Sequence, residues 1–193
     1  RESEQLSRLI ESILELSALG NNGSDIVSDS EVVAMGELVE SIYRRFHQQA
    51  QQAGIRFQCS SGAGFLAVLG SEERLMQLGA HLVSNALNFT PAGGQVELAL
   101  ETNGQGEVGL VVRDSGVGIP PEEMNNIFER FYRGAAVKQS NMPGTGLGLS
   151  IANEIAQAHG GRIEVESSEG KGTTITAWFP RADSATSGAV DAV

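Results

Sequence analysis

The chain has a single cysteine, Cys59, among 193 residues. One cysteine cannot close a disulfide within the chain, and such sparing use fits a reducing compartment. Cys59 sits in an alternating stretch and reads as a small packed side chain, not a nucleophile. Basic clusters are also missing, because no basic run exceeds the pair Arg44-Arg45. With 24 acids against 13 bases the formal charge is −11. A nucleic-acid surface needs clustered Lys and Arg, so that class of partner is excluded. No apolar run approaches the ~20 residues that span a bilayer, and no secretory signal is visible. These absences predict a soluble, cytoplasmic piece with no membrane contact of its own. The chain starts inside a helical pattern and is expected to be part of a longer protein, which can still be membrane-anchored.

What is present falls into ordered stretches. Leu6, Leu9, Ile13 and Leu16 repeat at spacings of three and four, a coiled-coil-like stripe under two heptads long. Too short to be stable alone, that helix (residues 1–20) should pack on a second chain or on the domain itself. Gly20-Asn-Asn-Gly23-Ser marks a boundary. The main domain is expected over 28–181, and 182–193 reads as a disordered tail. A strand is expected near Glu31 to Ala34, then an amphipathic helix over Gly36 to Ala53 with Leu38, Ile42, Phe46 and Tyr43 inward. Ile55 to Ser60 and Phe65 to Leu69 read as strands joined by a Ser-Gly-Ala-Gly turn. Ser71 is placed to cap a helix running to about Phe89. Val96 to Glu101 and Glu107 to Arg113 form a hairpin, and a closing hairpin pairs Arg162 to Ser167 with Thr173 to Phe179. Between them Leu147 to His159 is helical. The pattern predicts an α/β two-layer sandwich, a mixed sheet with helices on one face.

Two glycine-rich turns carry the chemistry. Asp114-Ser-Gly-Val-Gly-Ile119 is followed about thirty residues later by Gly144-Thr-Gly-Leu-Gly-Leu149, which leads into the apolar helix. Glycine permits positive φ and close backbone approach to a ligand. A glycine loop feeding a helix N-terminus aims free amides at an anion. The pair describes a nucleotide pocket with a purine end and a phosphate end. Upstream, His81, Asn85 and Asn88 fall at i, i+4 and i+7 and share one helical face, apart from the stripe of Leu75, Leu78, Leu82 and Ala86. Spacing alone leaves that polar line open between a solvated face and a ligand-binding one. Asp114 is open between a turn residue capping its own loop and a carboxylate that accepts the adenine amine and repels the guanine carbonyl. An acidic chain that binds a triphosphate must offset like charge, and a divalent cation is the simplest means.

Four ordered strings now bear on the family: Asn85-Ala-x-x-Phe-Thr-Pro91, the Asp114 loop, Ile127-Phe-Glu-Arg-Phe-Tyr-Arg133 and the Gly144 loop. Together, over roughly Glu31 to Pro180, they resemble the ATP-binding catalytic domain of sensor histidine kinases, in the GHKL ATPase superfamily with its Bergerat-type fold. The resemblance implies ATP and Mg2+ as cofactors. It implies that Asn85 coordinates magnesium through its amide oxygen and that Asp114 takes the adenine amine. Gly116, Gly118 and Ile119 would lie against the base. Gly144, Thr145, Gly146, Leu147 and Gly148 would serve the phosphates, with Thr173 and a lid base among Arg130, Arg133 and Lys138. His81 stays open between a general base and an ordinary cap or phosphate contact, and Phe89 between purine packing and core. Where the family usually has Lys or Arg this chain has Asn88, which removes a positive charge. Phe128 and Phe131 resemble the phenylalanine element that anchors the lid. Residues Arg133 to Pro143 carry no apolar stripe and are expected to be a mobile lid that ATP orders.

None of the three histidines fits the family's phosphoacceptor, which is followed by an acid. His47 precedes Gln, His81 precedes Leu and His159 precedes Gly, and His159 is better suited to a helix C-terminus. The acceptor would lie upstream of Arg1. The implied partners are therefore a histidine-bearing dimerisation domain of the same protein, a response-regulator receiver domain and a second copy in a homodimer. Another GHKL enzyme, such as an anti-sigma serine kinase, chaperone or topoisomerase, is the first rival. The phenylalanine element, the helical stripe and the absence of Glu at position 81 argue against it. The second rival is a nucleotide-binding module without turnover, which Asn88 keeps open.

Overall fold

The structure is a computed structural model and describes residues 31–62, 64–134 and 144–182. The expected helix at 1–20, most of the lid with Lys138, and the tail from residue 183 lie outside the described residues. Strand β1 (Glu31–Ala34) runs directly into helix α1 (Met35–Gln52), and strands β2 (Arg56–Ser60) and β3 (Ala67–Gly70) follow. Helix α2 (Glu72–Phe89) then leads to strands β4 (Gln95–Thr102) and β5 (Glu107–Asp114). A 3-10 turn at Pro121–Glu123, helix α3 (Gly148–Ala158) and strands β6 (Arg162–Ser168) and β7 (Gly172–Pro180) follow among the described residues. The main sheet has five strands in the order β2-β4-β5-β7-β6. Only β2 with β4 is parallel; the other three pairings are antiparallel, so the sheet is mixed as expected.

Strand alternation sorts the two faces. Val96, Leu98 and Leu100 of β4, Val108, Leu110 and Val112 of β5, and Ile175, Ala177 and Phe179 of β7 point into one core. The helices cover that face with Leu38, Ile42 and Phe46 from α1, Leu75, Leu78 and Leu82 from α2, and Ile151 and Ile155 from α3. The opposite face is a polar lattice. Arg113 joins Glu97 and Glu101, Arg162 joins Glu107 and Glu164, and the Trp178 indole donates to Glu164 at 2.9 Å. Ion pairs this accessible to water contribute little to stability. Their use is to keep one face of the sheet wet while the other carries the core. Cys59 packs half-buried against the core, and burial pushes its thiol pKa up, with Glu40 adding to the effect. That suits the packed, unreactive reading.

β2 and β3 are not partners. β2 pairs in parallel with β4, whereas β3 pairs with β1 in a separate two-stranded ribbon. The turn between them carries the chain out of the main sheet, with positive φ at Gly62 and Gly64. Alternation reports which face a strand buries and says nothing of its neighbour.

The helix ends explain how α2 and α3 are held. Ser71 caps α2 by accepting from the Arg74 amide at 3.4 Å. Its own amide donates to His159 Nε2 at 3.1 Å, and His159 Nδ1 donates to the Ile155 carbonyl at 2.7 Å. The imidazole is thereby fixed in one neutral tautomer between the start of α2 and the end of α3. Burial, with Arg74 nearby, holds its pKa below the ordinary 6.5. His159 does sit at a helix C-terminus, but it acts there through neutral hydrogen bonds and not as a cation.

Candidate nucleotide site

One cavity of about 410 Å³ opens beside α2, bounded by the end of β5, the glycine loops and the start of α3. Its polar wall is the line predicted on α2, since His81, Asn85 and Asn88 all face it. The N-terminus of α3 is aimed at that line. A Cβ built on Gly148 would lie 3.4 Å from His81 Nδ1 and 3.8 Å from Asn85 Oδ1. A glycine there lets the first turn of α3, with its unpaired amides, approach the α2 polar groups. Such a terminus attracts anions, and α3 has no acidic residue in its first turn to compete.

The other end of the cavity is built around Asp114, the last residue of β5. The Gly116 amide donates to its Oδ1 at 2.8 Å, and the Thr173 amide also supports the carboxylate. So the loop-capping role foreseen for Asp114 is real, and it coexists with a place on the cavity wall. Burial holds its carboxyl above the usual carboxylate range, and the two amide bonds offset this only in part. Val112, Ile175, Ile119 and Phe89 add apolar surface around it. That combination, one acceptor in a flat apolar slot, suits a ring bearing an amine. Phe89 therefore lines the cavity and is not a core residue.

The loop itself is shaped by close backbone packing. A side chain at Gly118, where φ is +69°, would run into the Ser168 carbonyl, and one at Gly116 would strike the Phe89 carbonyl. The Val117 amide donates to Phe89 O at 3.2 Å, and the Gly170 amide donates to Val117 O at 2.7 Å. Gly116 thus shapes the loop and does not line the cavity. At the glycine-loop end the Phe131 amide donates to Gly146 O at 2.9 Å. A Cβ at Gly146, φ +74°, would sit 2.7 Å from the Phe131 carbonyl carbon and from the Tyr132 oxygen.

Three other assignments change. Arg130 does not face the cavity: its Nε and Nη2 atoms both donate to Glu154 Oε1 on α3, at 3.2 and 2.7 Å. Leu147 is fully buried core, so only its backbone borders the glycine loop. The Phe131 ring is 56% exposed with φ at +66°, so the backbone and not the ring fastens this segment. Arg133, Gly144, Thr145, Gly146, Gly148 and Thr173 do line the cavity. Missed were Glu123 and Tyr132, which line it as well. Tyr132 lay inside a recognised string, whereas nothing in Pro120-Pro-Glu-Glu marks Glu123 as a wall residue. Among the described residues no three His, Cys, Asp or Glu side chains converge as a metal site. A cation here would have to be completed by oxygens of a ligand, with the Asn85 carboxamide on the cavity wall as a protein oxygen.

A two-layer α/β domain with an acid at one end of the cavity and a glycine-loop helix at the other defines an ATPase of the GHKL type. Residues 70–183 match the family described as histidine kinase-, DNA gyrase B-, and HSP90-like ATPase, and the chain belongs to it. Within that family its relatives are sensor histidine kinases. It is 35% identical over 180 residues to sensor histidine kinase WalK of Bacillus subtilis, covering 93% of this chain but 29% of WalK. The mycobacterial sensor histidine kinase MprB superposes with a TM-score of 0.68 at 31% identity, over 79% of this chain and 97% of that one. Full-length ShkA in complex with AMPPNP superposes at 0.81 with 28% identity, over 95% of this chain and 38% of ShkA. The chain spans under a third of the length of WalK.

Proposed function

We propose that this domain supplies the γ-phosphoryl group of ATP to a histidine on a separate hairpin domain of the same protein, which then serves a response-regulator aspartate. The observation that carries the reading is the single cavity in which Asp114 stands at one end and the Gly148 terminus of α3, with His81 and Asn85, at the other. Asp114 would accept the adenine amine. The amides from Gly144 to Gly148 would hold the phosphates. Bound Mg2+ would neutralise phosphate charge, with the Asn85 amide oxygen as its protein ligand. Arg133 on the cavity wall offers the positive charge that Asn88 does not. His81 would contact the phosphate end or orient the incoming imidazole. The chemistry asked of the domain is positioning and charge stabilisation.

The direct test is to incubate this chain and labelled ATP with a separately made histidine-hairpin domain. Label should appear on the histidine. ATP binding without any transfer would instead favour a regulatory nucleotide-binding module, the reading that Asn88 supports. The metal assignment has its own test. Asn85→Ala should abolish the tightening that Mg2+ gives to ATP while binding in EDTA stays within about twofold, because the lost ligand bears on the metal and not on the base. Calorimetry with and without the cation reads both. Unchanged Mg2+-dependence in the variant would remove Asn85 from the metal.

A further inference from the structure

Ser167, on β6, makes three hydrogen bonds that close on the purine end of the cavity. Its Oγ receives the Ile119 amide at 2.8 Å, reaches the Gly172 carbonyl at 3.0 Å and meets Thr173 Oγ1 at 2.9 Å. A serine hydroxyl has one proton and two lone pairs. A carbonyl can only accept, so the Ser167 proton goes to Gly172. An amide can only donate, so Ile119 occupies one lone pair. The Thr173 contact must then run the other way, with Thr173 donating its proton to Ser167. Thr173 lines the cavity beside Asp114 and is nearly buried. With its proton committed, its hydroxyl has only lone pairs left for a ligand.

We propose that Ser167 is a specificity-determining positioning residue: by fixing the Thr173 proton it turns that hydroxyl into a second acceptor beside Asp114. Two acceptors at one point favour a purine with an amine at position 6 and oppose one with an oxo group there. The same bond to Ile119 holds the loop that carries the Asp114 end. The inference rests on the reading that adenine sits at Asp114, and it adds a group that contacts the ligand only through Thr173.

The test compares ATP with inosine triphosphate, which differs in bearing the oxo group at position 6 and a proton on N1. Competition against a fluorescent adenine nucleotide gives both affinities. In Ser167→Ala the Thr173 proton is free to turn into the cavity and donate to the oxo group. The ratio of ATP to inosine triphosphate affinity should fall about tenfold, the worth of one hydrogen bond gained on one side and lost on the other. Ser167→Thr retains the hydroxyl and should restore the ratio. A merely structural role would weaken both nucleotides alike. Thr173→Val keeps the shape without the hydroxyl and provides the same reading should Ser167→Ala fold poorly. It should lower the ratio by itself, and Ser167→Ala added to it should lower it no further. A ratio unchanged in Ser167→Ala and in Thr173→Val, with ATP binding still sensitive to Asp114→Asn, overturns the proposal and leaves the adenine site standing. ATP binding insensitive to Asp114→Asn removes both.

Discussion

Asp114→Asn should cost ATP roughly ten- to a hundred-fold in affinity, and should at the same time make the nucleotide-free domain more stable. The first effect follows from losing a charged acceptor, worth about 1.5–3 kcal/mol. The second follows from the burial that raises the Asp114 carboxyl above its ordinary 3.8. The folded chain takes up this proton at a higher pH than the unfolded chain does. Stability from this group is therefore full below 3.8 and falls as pH rises through the window up to the folded value. At neutral pH the buried charge is a standing cost, and the amide removes it. Calorimetry for ATP and thermal melting without ligand should move in opposite directions. GTP should not bind the parent, whose carboxylate repels the guanine carbonyl. A variant that melts earlier and binds ATP like the parent would contradict both halves.

His159→Ala should be the most destabilising of the single substitutions considered. It empties a buried ring position that lies edge-on to Phe179, with ring centres 6.3 Å apart. It also strands the Ser71 amide at the head of α2. A partly buried donor left unpaired and the cavity together cost about 3 kcal/mol, or a fall of about 10 °C in Tm for a domain of this size. The ring fits closely, because a Cβ at Gly70 would collide with it. Gly70→Ala should consequently mimic part of the loss. The pH dependence has a definite sign. The folded pKa lies below 6.5, so the unfolded chain protonates first and His159 stabilises the fold above 6.5. That contribution is lost as pH falls from 6.5 toward the folded value. The corresponding slope in Tm should be absent from the His159→Ala variant. A slope that persists would place the titrating group elsewhere.

The sequence was legible wherever a local rule decided the outcome. The spacing of Leu75, Leu78 and Leu82 against His81, Asn85 and Asn88 separated core from cavity on α2 because a helix repeats every 3.6 residues. The glycine loops were legible because their conformations exclude other residues, and the structure finds backbone packed against Gly118 and Gly146 where a Cβ would stand. Strand partnership was legible where a short turn joins neighbours, as in the β4-β5 and β6-β7 hairpins, and not where partners lie far apart in the chain, as for β1 with β3, β2 with β4 and β5 with β7. Nor was the fate of Arg130, whose pairing with Glu154 depends on how one loop crosses α3. Ser167 escaped notice entirely. A serine in a polar edge strand has no periodic signature, and its importance arises only from what β6 and β7 bring to Ile119 and Thr173.

The place of β7 in the sheet sets an order of events at the ribosome. It pairs with β5, yet β5 is finished sixty or so residues of translation earlier on the scale of a chain made N-terminus first. Until Gly172 to Pro180 emerge, β5 has one open edge and the cavity wall lacks Thr173 and Ile175. A nascent chain is therefore expected to hold nucleotide, and to borrow stability from it, only once β7 is made. Truncated translation products ending short of that strand would be empty and edge-exposed. Quality-control proteases could thus tell a complete domain from an incomplete one by whether ATP protects it.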